Sequence, residues 1–311
     1  MRLLILGAGA TGGYFGGRLA KAGADVTFLV RSSRAEALAR DGLRIESPKG
    51  DITTPVKTVT QAHIDGSYDA IILSCKAYDL DAAIAAIRPA AGDQTLILPL
   101  LNGMRHIDTL DAAFGAERVL GGTCHISVTL TPEGIVRHFS TFDALTLGPR
   151  FSAQAERCDA LYPLLARGGF ETRLSTNVIG AMWEKWVLLA TLAGMTCLMR
   201  GNIGEIVATK SGAQQINQFL DECCAVAEAS GTPPRAETVT MTRTVLTDPK
   251  SAMAASMLRD LQRGARIEAD HIIGDLLARG AAGGVPTPLL ATAHNHVQVY
   301  QNRQNAAAPQ S

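Results

Sequence analysis

RLLILGAGATGGYFGGRLAK, residues 2–21, is the stretch of this chain that decides its fold. Residues 2–6 are mostly apolar and have the length of one buried strand. GAGATG follows at once at 7–12, and the residues from Thr11 to Lys21 have a helical pattern. A strand, a glycine-rich turn and a helix in immediate succession predict a βα unit at the N-terminus.

The spacing GxGxxG in that position is the fingerprint of a dinucleotide-binding Rossmann unit. Gly7 allows the tight turn, Gly9 lets the backbone approach a pyrophosphate, and Gly12 lets the helix pack close to the strand. The pyrophosphate would bind amide N–H groups at the positive end of the helix dipole. The predicted cofactor-binding residues of this turn are Gly7, Ala8, Gly9, Ala10, Thr11 and Gly12.

The next predicted strand, 25–30, ends without the acidic residue that usually binds the ribose 2′-hydroxyl of NAD. RSSR at 31–34 follows and offers two guanidinium groups, two hydroxyls and a helix N-terminus. This set matches the dianionic 2′-phosphate of NADP, although a solvated basic helix start has the same sequence. The pattern favours NADP(H), with Arg31 as a cofactor-binding residue.

Short apolar runs alternate with helical patterns through the N-terminal half, which indicates a parallel sheet with helices on both faces. Residues 123–149 instead show the alternation of an antiparallel meander, which we expect to extend one edge of that sheet. A helix at 153–167 and a strand at 170–173 complete a predicted N-terminal domain of residues 1–175. The remaining predicted strands of the parallel sheet are 69–74, 94–98 and 118–121.

Beyond residue 177 only helical patterns remain, so residues 176–311 are predicted to form an all-helical domain. The fold class is therefore α/β, with a Rossmann-type doubly wound parallel sheet and an all-helical C-terminal domain. The polar tail from residue 301 is expected to be frayed. The predicted helices lie near 178–199, 211–230, 235–246, 251–263, 267–279 and 287–301.

Composition excludes several classes of protein. Apolar residues make up 47% and charged residues 19% of the chain, which is typical of globular proteins, and 29 basic residues balance 29 acidic ones. With no net field to hold a polyanion, nucleic acid is not an expected partner. The six cysteines show no CxxC motif and no metal-like spacing with histidine, so no metal is assigned.

The N-terminus lacks the pattern of a signal peptide, so we expect a soluble, cytoplasmic protein with reduced thiols. The apolar stretch 178–199 carries the adjacent charges Glu184 and Lys185 near its middle. A membrane span rarely tolerates such a pair, so we interpret the stretch as a buried helix and expect no membrane partner.

Lys185 is the first candidate for chemistry, because it lies in AMWEKWVLLATLAG, a helix that is apolar on nearly every face. Burial of an ammonium group there would lower its pKa toward a value useful for proton transfer. A lysine that extends to solvent beside Glu184 fits the same sequence, and these residues alone leave both interpretations open.

Three further segments carry candidate polar groups. Glu268 opens a predicted helix, where a glutamate is common for structural reasons, and Ser256 with Asp260 lies on the preceding helix. Lys76 and Asn102 follow the ends of two neighbouring strands, the edge at which open α/β sheets bind ligands. The seven histidines lack metal-like partners.

Together these segments resemble the ketopantoate reductase (2-dehydropantoate 2-reductase) family over nearly the whole chain. The glycine turn with Arg31 resembles the family's NADP fingerprint, and four other segments resemble its lysine, asparagine, catalytic lysine and SxxxD–glutamate motifs. These segments are SCKAYDL at 74–80, LLNGM at 100–104, WEKW at 183–186 and ASMLRDLQRGARIEADHIIGDLL at 255–277.

The resemblance implies NADPH-dependent reduction of a 2-oxo acid, 2-dehydropantoate to pantoate in pantothenate biosynthesis. It implies that Lys185 is the general acid and that Glu268 hydrogen-bonds the developing hydroxyl. It further implies that Asn102 helps to hold the nicotinamide and the substrate, that Ser256 binds the substrate carboxylate, and that Lys76 lies at the cofactor edge. A homodimer is compatible with the sequence, which does not decide the oligomeric state.

One departure from the family concerns the helix that carries Lys185. Where the family has asparagines one and two turns after the lysine, this chain has Leu189 and Ala193. An apolar face cannot hydrogen-bond the substrate hydroxyls that the asparagines bind. A 2-oxo acid with a more apolar side chain is therefore an alternative to ketopantoate as the substrate. The sequence is also compatible with a non-enzymatic NADP(H) sensor and with a hydroxy acid dehydrogenase of the 6-phosphogluconate dehydrogenase-like group.

Overall fold

The computed structural model describes residues 1–307, and these pack into two compact units. The first comprises residues 1–101 and 106–178, and the second comprises 102–105 and the described chain from 179 onward. The boundary predicted after residue 175 lies within a few residues of the observed one. The sequence does not predict that the short segment 102–105 leaves the first unit and packs with the second.

The first unit contains ten strands and five α-helices within the described chain. Short 3-10 turns join several of these elements. The strands are β1 (Arg2–Leu6), β2 (Asp25–Leu29), β3 (Leu43–Glu46), β4 (Ile52–Thr54), β5 (Lys57–Val59), β6 (Ala70–Leu73), β7 (Leu96–Pro99), β8 (Gly121–Leu130), β9 (Val136–Gly148) and β10 (Thr172–Leu174). The helices are α1 (Ala10–Lys21), α2 (Ser32–Asp41), α3 (Leu80–Ile87), α4 (Arg105–Phe114) and α5 (Ala155–Ala166).

The five-stranded sheet that contains β1 is parallel throughout, with the strand order β5-β2-β1-β6-β7. Its central strands are continuous apolar runs because helices cover both faces: all of β6 and β7 is buried. The doubly wound parallel sheet predicted from the sequence is confirmed. Of the predicted strand 118–121, only Val119 pairs with the parallel sheet, by one isolated parallel bridge with Ile97 of β7, so the segment does not form a strand of this sheet, whose fifth strand is β5.

The predicted meander is also wrong in its placement. β8 and β9 form one long antiparallel hairpin, and β9 belongs to a second sheet of order β10-β9-β3-β4 rather than to an edge of the parallel sheet. β9 finds its partners in β3 and β10, both parallel to it. β3 (LRIE) does alternate apolar and polar residues, but four residues is the shortest run that indicates a strand, and β4 (ITT) is shorter still.

Helix α1 lies between the two sheets, and its glycines allow both contacts. A Cβ atom on Gly16 would collide with Ile5 Cδ1 in β1, and one on Gly17 would lie 2.6 Å from Leu43 Cδ2 in β3. Contacts this short require either the helix or these side chains to shift, so a larger residue at either position would disturb the packing of α1 on a sheet. The GGYFGG segment thereby fixes the depth of the helix whose N-terminus forms the glycine turn.

The second unit is all-helical within the described residues, as predicted. Helix α6 is its buried centre, where Gly194 lies so close to Phe219 of α8 that a Cβ would collide with the ring. The elements are α6 (Val178–Met199), α7 (Ile203–Val207), α8 (Gly212–Ala229), α9 (Ala236–Leu246), α10 (Ser256–Gln262), a π-helical turn (Asp270–Gly274), α11 (Asp275–Ala282) and α12 (Pro288–Ala307).

Helix α6 is, among the described residues, the one helix that is long and apolar enough to cross a membrane by length and composition, and 67% of its most apolar window is buried inside the protein. Glu184 and Lys185 are part of that packing. The burial agrees with the interpretation of this segment as a core helix.

Three helix boundaries differ from the prediction for identifiable reasons. Residues 251–255 are extended because the carbonyls of Ser251 and Met253 accept hydrogen bonds from Gly204 and Ile203 at the start of α7. The helix predicted at 267–279 begins with the π-helical turn. The tail is helical through Ala307 rather than frayed, and its last part, 308–311, lies outside the described residues.

Candidate active site

The glycine turn of the first unit has the backbone geometry that the sequence predicts. Gly7 has φ +84°, a conformation that L side chains rarely adopt, and its N–H donates to the Leu29 carbonyl of β2 at 2.9 Å. A Cβ on Gly12 would lie 2.5 Å from the Gly7 carbonyl oxygen, so the helix meets the turn at a distance that only glycine allows. Both glycines are therefore required by the fold.

Gly9 differs from these two, because no atom lies within 4 Å of where its Cβ would be. It stands directly before α1, whose first-turn N–H groups have no partner inside the helix and form an anion-binding end. Open space over glycine backbone at a helix N-terminus fits the pyrophosphate of a dinucleotide. Ala8, Ala10 and Thr11 complete the turn.

The two arginines of RSSR occupy different environments. Arg31 is exposed at the N-cap of α2. Arg34 is half-buried and donates to the carbonyl of Ala8 in the glycine turn at 3.1 Å and to that of Gly134 in the β8–β9 turn at 3.2 Å. Burial, and secondarily the nearby Arg44, lower the pKa of Arg34. Arg34 thus ties the glycine turn to the hairpin, and Arg31 is the guanidinium accessible to a phosphate.

Lys76 lies just beyond β6 and is half-buried. Its extended backbone precedes a 3-10 turn, Ala77–Asp79, and its carbonyl accepts the Asp79 N–H at 2.9 Å. Since β6 is a neighbour of β1 in the sheet, Lys76 follows a strand beside the one that leads into the glycine turn. The position agrees with the expected ligand edge of the sheet.

Lys185 is buried, with 8% of its surface exposed. Its neighbour Glu184 is bound by Arg235, whose guanidinium donates to both carboxylate oxygens at 2.7 and 2.8 Å and whose backbone N–H donates at 3.0 Å. Burial acts to raise the pKa of Glu184, but these bonds outweigh it and hold the pKa below its usual value. A lysine this deeply buried does not extend into solvent. Glu184 is already paired with Arg235.

Two tryptophans flank Lys185 on α6 and are themselves buried. The rings of Trp183 and Trp186 lie 4.8 Å apart, and the guanidinium of Arg279 lies 5.6 Å from the Trp186 ring centroid. The Trp186 indole donates to the carbonyl of Ile272 at 2.9 Å. A lysine on this helix is therefore held in register with the π-helical turn.

Glu268 directly precedes that helical segment and is 8% exposed. Its carbonyl accepts the Ile272 N–H at 3.0 Å, which starts the helix. Glu268 and Lys185 are thus both buried, and their backbones are linked within one unit through Ile272 and Trp186. A buried carboxylate and a buried ammonium on rigid elements suit proton transfer and charge stabilisation.

Asn102 belongs to the same unit, although it follows a strand of the other one. Gly103, with φ +76°, packs against His271 so closely that a Cβ would lie 2.8 Å from the His271 carbonyl oxygen. The sequence does not single out His271, because its only signal is an ordinary helical position three residues after Glu268. Burial lowers the pKa of His271, while Glu268, Asp275 and a hydrogen bond with the Asn102 backbone oppose this.

The remaining predicted residues lie at less enclosed positions. Ser256 is exposed as the first residue of α10. Leu189 is half-buried one turn after Lys185, and Ala193 is buried a further turn along. The helix face that continues from the lysine is therefore apolar. The described residues contain no cluster of histidine, cysteine or acidic side chains suited to a metal ion.

Comparisons with known proteins cover both units. The family model for ketopantoate reductase PanE/ApbA matches residues 3–150, and that for its C-terminal domain matches 177–301. An uncharacterized oxidoreductase, YkpB, of Bacillus subtilis is 34% identical over 301 residues, with 97% of this chain and 99% of the relative covered. A 2-dehydropantoate 2-reductase of Halobacterium salinarum is 28% identical over 304 residues, with 97% and 99% covered.

Among solved structures, a PanE/ApbA family ketopantoate reductase from Ralstonia eutropha JMP134 superposes with a TM-score of 0.87 at 29% identity, with 98% of this chain and 100% of that chain covered. The whole length of the described fold is therefore shared with that enzyme. With the glycine turn in place, the match identifies a nicotinamide dinucleotide as the class of cofactor. The chain accordingly belongs to the ketopantoate reductase family of oxidoreductases.

Proposed function

We propose that this protein reduces a 2-oxo acid to the 2-hydroxy acid with NADPH. The observation that carries the proposal is the buried Lys185, whose helix is hydrogen-bonded through Trp186 to the segment that begins at the buried Glu268. Membership of the family supports the reaction class.

Each group has a role that follows from its chemistry. When bound, the nicotinamide would supply the hydride that adds to the keto carbon. The Lys185 ammonium stabilises the negative charge that develops on the keto oxygen and donates the proton that completes the hydroxyl. The Glu268 carboxylate accepts a hydrogen bond from that hydroxyl, and Ser256 donates one to the substrate carboxylate.

Four groups of the chain have chemistry suited to the cofactor. Backbone N–H groups of the glycine turn bind the pyrophosphate, and the exposed Arg31 binds the 2′-phosphate that distinguishes NADP from NAD. Lys76 binds the cofactor at the sheet edge formed by the carboxyl ends of the strands. Asn102 holds the nicotinamide and the substrate through its side chain.

Ketopantoate is the first candidate substrate, with a place in pantothenate biosynthesis, because curated relatives along the whole chain carry that activity in their names. A 2-oxo acid with a more apolar side chain is the second, and the apolar face at Leu189 and Ala193 favours it. Hydrogen bonds to substrate hydroxyls are worth large factors in specificity, so the two candidates should differ clearly in kcat/KM.

A sensor that binds NADPH without turnover is a second candidate function, and the same loss of polar groups at Leu189 and Ala193 motivates it. Oxidation of a hydroxy acid, as in a hydroxy acid dehydrogenase, is the third. The cytoplasmic location and a homodimer remain predictions, to be checked by fractionation of cells and by light scattering of the purified protein.

The experiment is a steady-state assay of NADPH oxidation with a panel of 2-oxo acids that includes ketopantoate and acids with branched or aromatic side chains. The reverse reaction is followed with the corresponding hydroxy acids. We expect turnover with at least one 2-oxo acid. Tight NADPH binding without turnover of any acid in either direction would instead establish the sensor.

A further inference from the structure

We infer that His271 is a positioning residue that fixes the Asn102–Gly103 turn against the helical segment behind Glu268. The inference rests on the proposed function in one respect, the role of Asn102 in holding nicotinamide and substrate. It concerns a residue to which neither the motifs nor the family match gives a task.

The packing of Gly103 is the first step of the argument. A Cβ on this residue would lie 2.8 Å from the carbonyl oxygen of His271, 3.1 Å from its ring atom Cδ2 and 3.4 Å from Nε2. Gly103 also has φ +76°, so the turn combines a glycine-only backbone conformation with a glycine-only contact. The backbone and the imidazole of His271 together form the surface on which the turn lies.

A hydrogen bond between the His271 imidazole and the Asn102 backbone also orients the turn relative to the histidine. The histidine is 9% exposed, so water cannot readily replace that bond. Since the Asn102 backbone is held from the His271 side, the starting point of the Asn102 side chain is set by the histidine.

The π-helical turn Asp270–Gly274 explains how His271 acts on the other site groups. Such a turn has i→i+5 hydrogen bonds and interrupts the regular α-helical pattern, as the bond from the Asp275 N–H to the Asp270 carbonyl shows. The indole of Trp186, next to Lys185, donates to the carbonyl of Ile272 in this turn at 2.9 Å. The same turn therefore contacts the segments that carry Lys185, Glu268 and Asn102, with His271 as its contact to Asn102.

The charged groups that face His271 are Glu268, Asp275 and Arg105. Burial lowers the pKa of His271 despite the two carboxylates, so the neutral imidazole is the form present near neutral pH. A neutral ring with one N–H is sufficient for one hydrogen bond to a backbone group.

The test compares His271→Ala and His271→Gln with His294→Ala as the matched control. His294 lies on α12 and reaches the same π-helical turn from another side, where it pairs with Asp270 and approaches Gly274. We expect His271→Ala to lower kcat/KM for the preferred 2-oxo acid by about 10- to 100-fold, because a small displacement of a positioning group costs this much. His271→Gln keeps an N–H donor and should restore most of the loss, while His294→Ala should leave kcat/KM unchanged.

Hydrogen–deuterium exchange of residues 102–105 gives a readout that does not depend on turnover. Exchange in this segment should accelerate in His271→Ala and remain as in the wild type in His294→Ala. If the wild type reduces no 2-oxo acid, the proposed function fails, and the exchange data still decide the role of His271. A folded His271→Ala protein with wild-type exchange at 102–105 would overturn the inference.

A second variant reaches the same contact from the other side, should His271→Ala not fold. Gly103→Ala places a methyl group 2.8 Å from the His271 carbonyl oxygen, so it should accelerate exchange in the segment and lower kcat/KM, as His271→Ala does. Wild-type exchange and kinetics in Gly103→Ala would contradict the packing on which the inference rests.

Discussion

The two candidate ligand-binding regions of this protein are built in opposite ways. The glycine turn of the first unit is continuous in sequence, and one strand, the turn itself and one helix contain all of it. The candidate groups of the second unit come from separated segments, which meet through the Trp186 hydrogen bond and the packing of Gly103 on His271. A local motif can be recognised from spacing alone, whereas a site assembled by packing requires the fold.

The largest expected effect comes from the assembled region. Lys185→Ala removes the proposed proton donor and the charge opposite the keto oxygen, so kcat should fall by about 100-fold or more. Lys210→Ala, at an exposed lysine of the same unit, is the control and should keep wild-type kinetics. The check is steady-state reduction of the preferred 2-oxo acid; an unchanged kcat in Lys185→Ala would remove the lysine from the mechanism.

A pair of alanine substitutions separates two roles of the glycine turn, its contribution to the stability of the fold and its contribution to cofactor binding. In Gly12→Ala the new methyl group would lie 2.5 Å from the Gly7 carbonyl, so unfolding free energy should fall by about 1 to 3 kcal/mol along with NADPH affinity. In Gly9→Ala the methyl group meets no protein atom within 4 Å, so stability should persist while NADPH affinity falls. Thermal unfolding and NADPH fluorescence measure the two quantities.

The pair is informative because the packing of the protein itself requires Gly12, whereas the open space over Gly9 is expected to matter for the cofactor alone. Equal destabilisation of both variants would mean that the space over Gly9 is needed by the protein itself. Unchanged NADPH affinity in Gly9→Ala would mean that the pyrophosphate lies elsewhere.

Much of the glycine-turn region could be predicted from the sequence, because its features are local. Runs such as 2–6 and 69–74 are apolar because both faces of a parallel strand are buried, and GxGxxG is required by backbone geometry. The second sheet was not predicted, since β3 and β4 span only four and three residues, and their place depends on pairings distant in sequence, β3 with β9 and β4 with β3. His271 could not be predicted either, because its task depends on residue 103, which no local pattern connects to it.

Arg31 and Arg34 test whether the basic RSSR segment recognises a phosphate or supports the turn. Arg31→Ala should weaken NADPH binding about tenfold and leave NADH binding unchanged, because an exposed charge-assisted contact to the 2′-phosphate is lost. Arg34→Ala should weaken the binding of both cofactors, since the Arg34 guanidinium donates hydrogen bonds to the Ala8 and Gly134 carbonyls. Arg40→Ala, an exposed arginine on α2 paired with Asp41, is the control.

Titrations of NADPH and NADH with all three variants give the ratio of the two dissociation constants. A wild-type protein that binds both cofactors equally would contradict the assignment of NADP(H). The effect of Arg31→Ala on this ratio should be smaller at high salt, because exposed charge pairs are screened.

The smallest effect concerns the bond that joins α6 to the π-helical turn. Trp186→Phe keeps an aromatic ring in the core but leaves the buried Ile272 carbonyl without its indole donor, so stability should fall by about 1 kcal/mol. Trp183→Phe changes the other ring of the same pair, which lies 4.8 Å away, without touching that bond. If the bond sets the register between Lys185 and Glu268, Trp186→Phe should also lower kcat, and Trp183→Phe should affect stability alone. A loss of stability without any change in kcat would show that the lysine keeps its position through packing on α6 and not through this hydrogen bond.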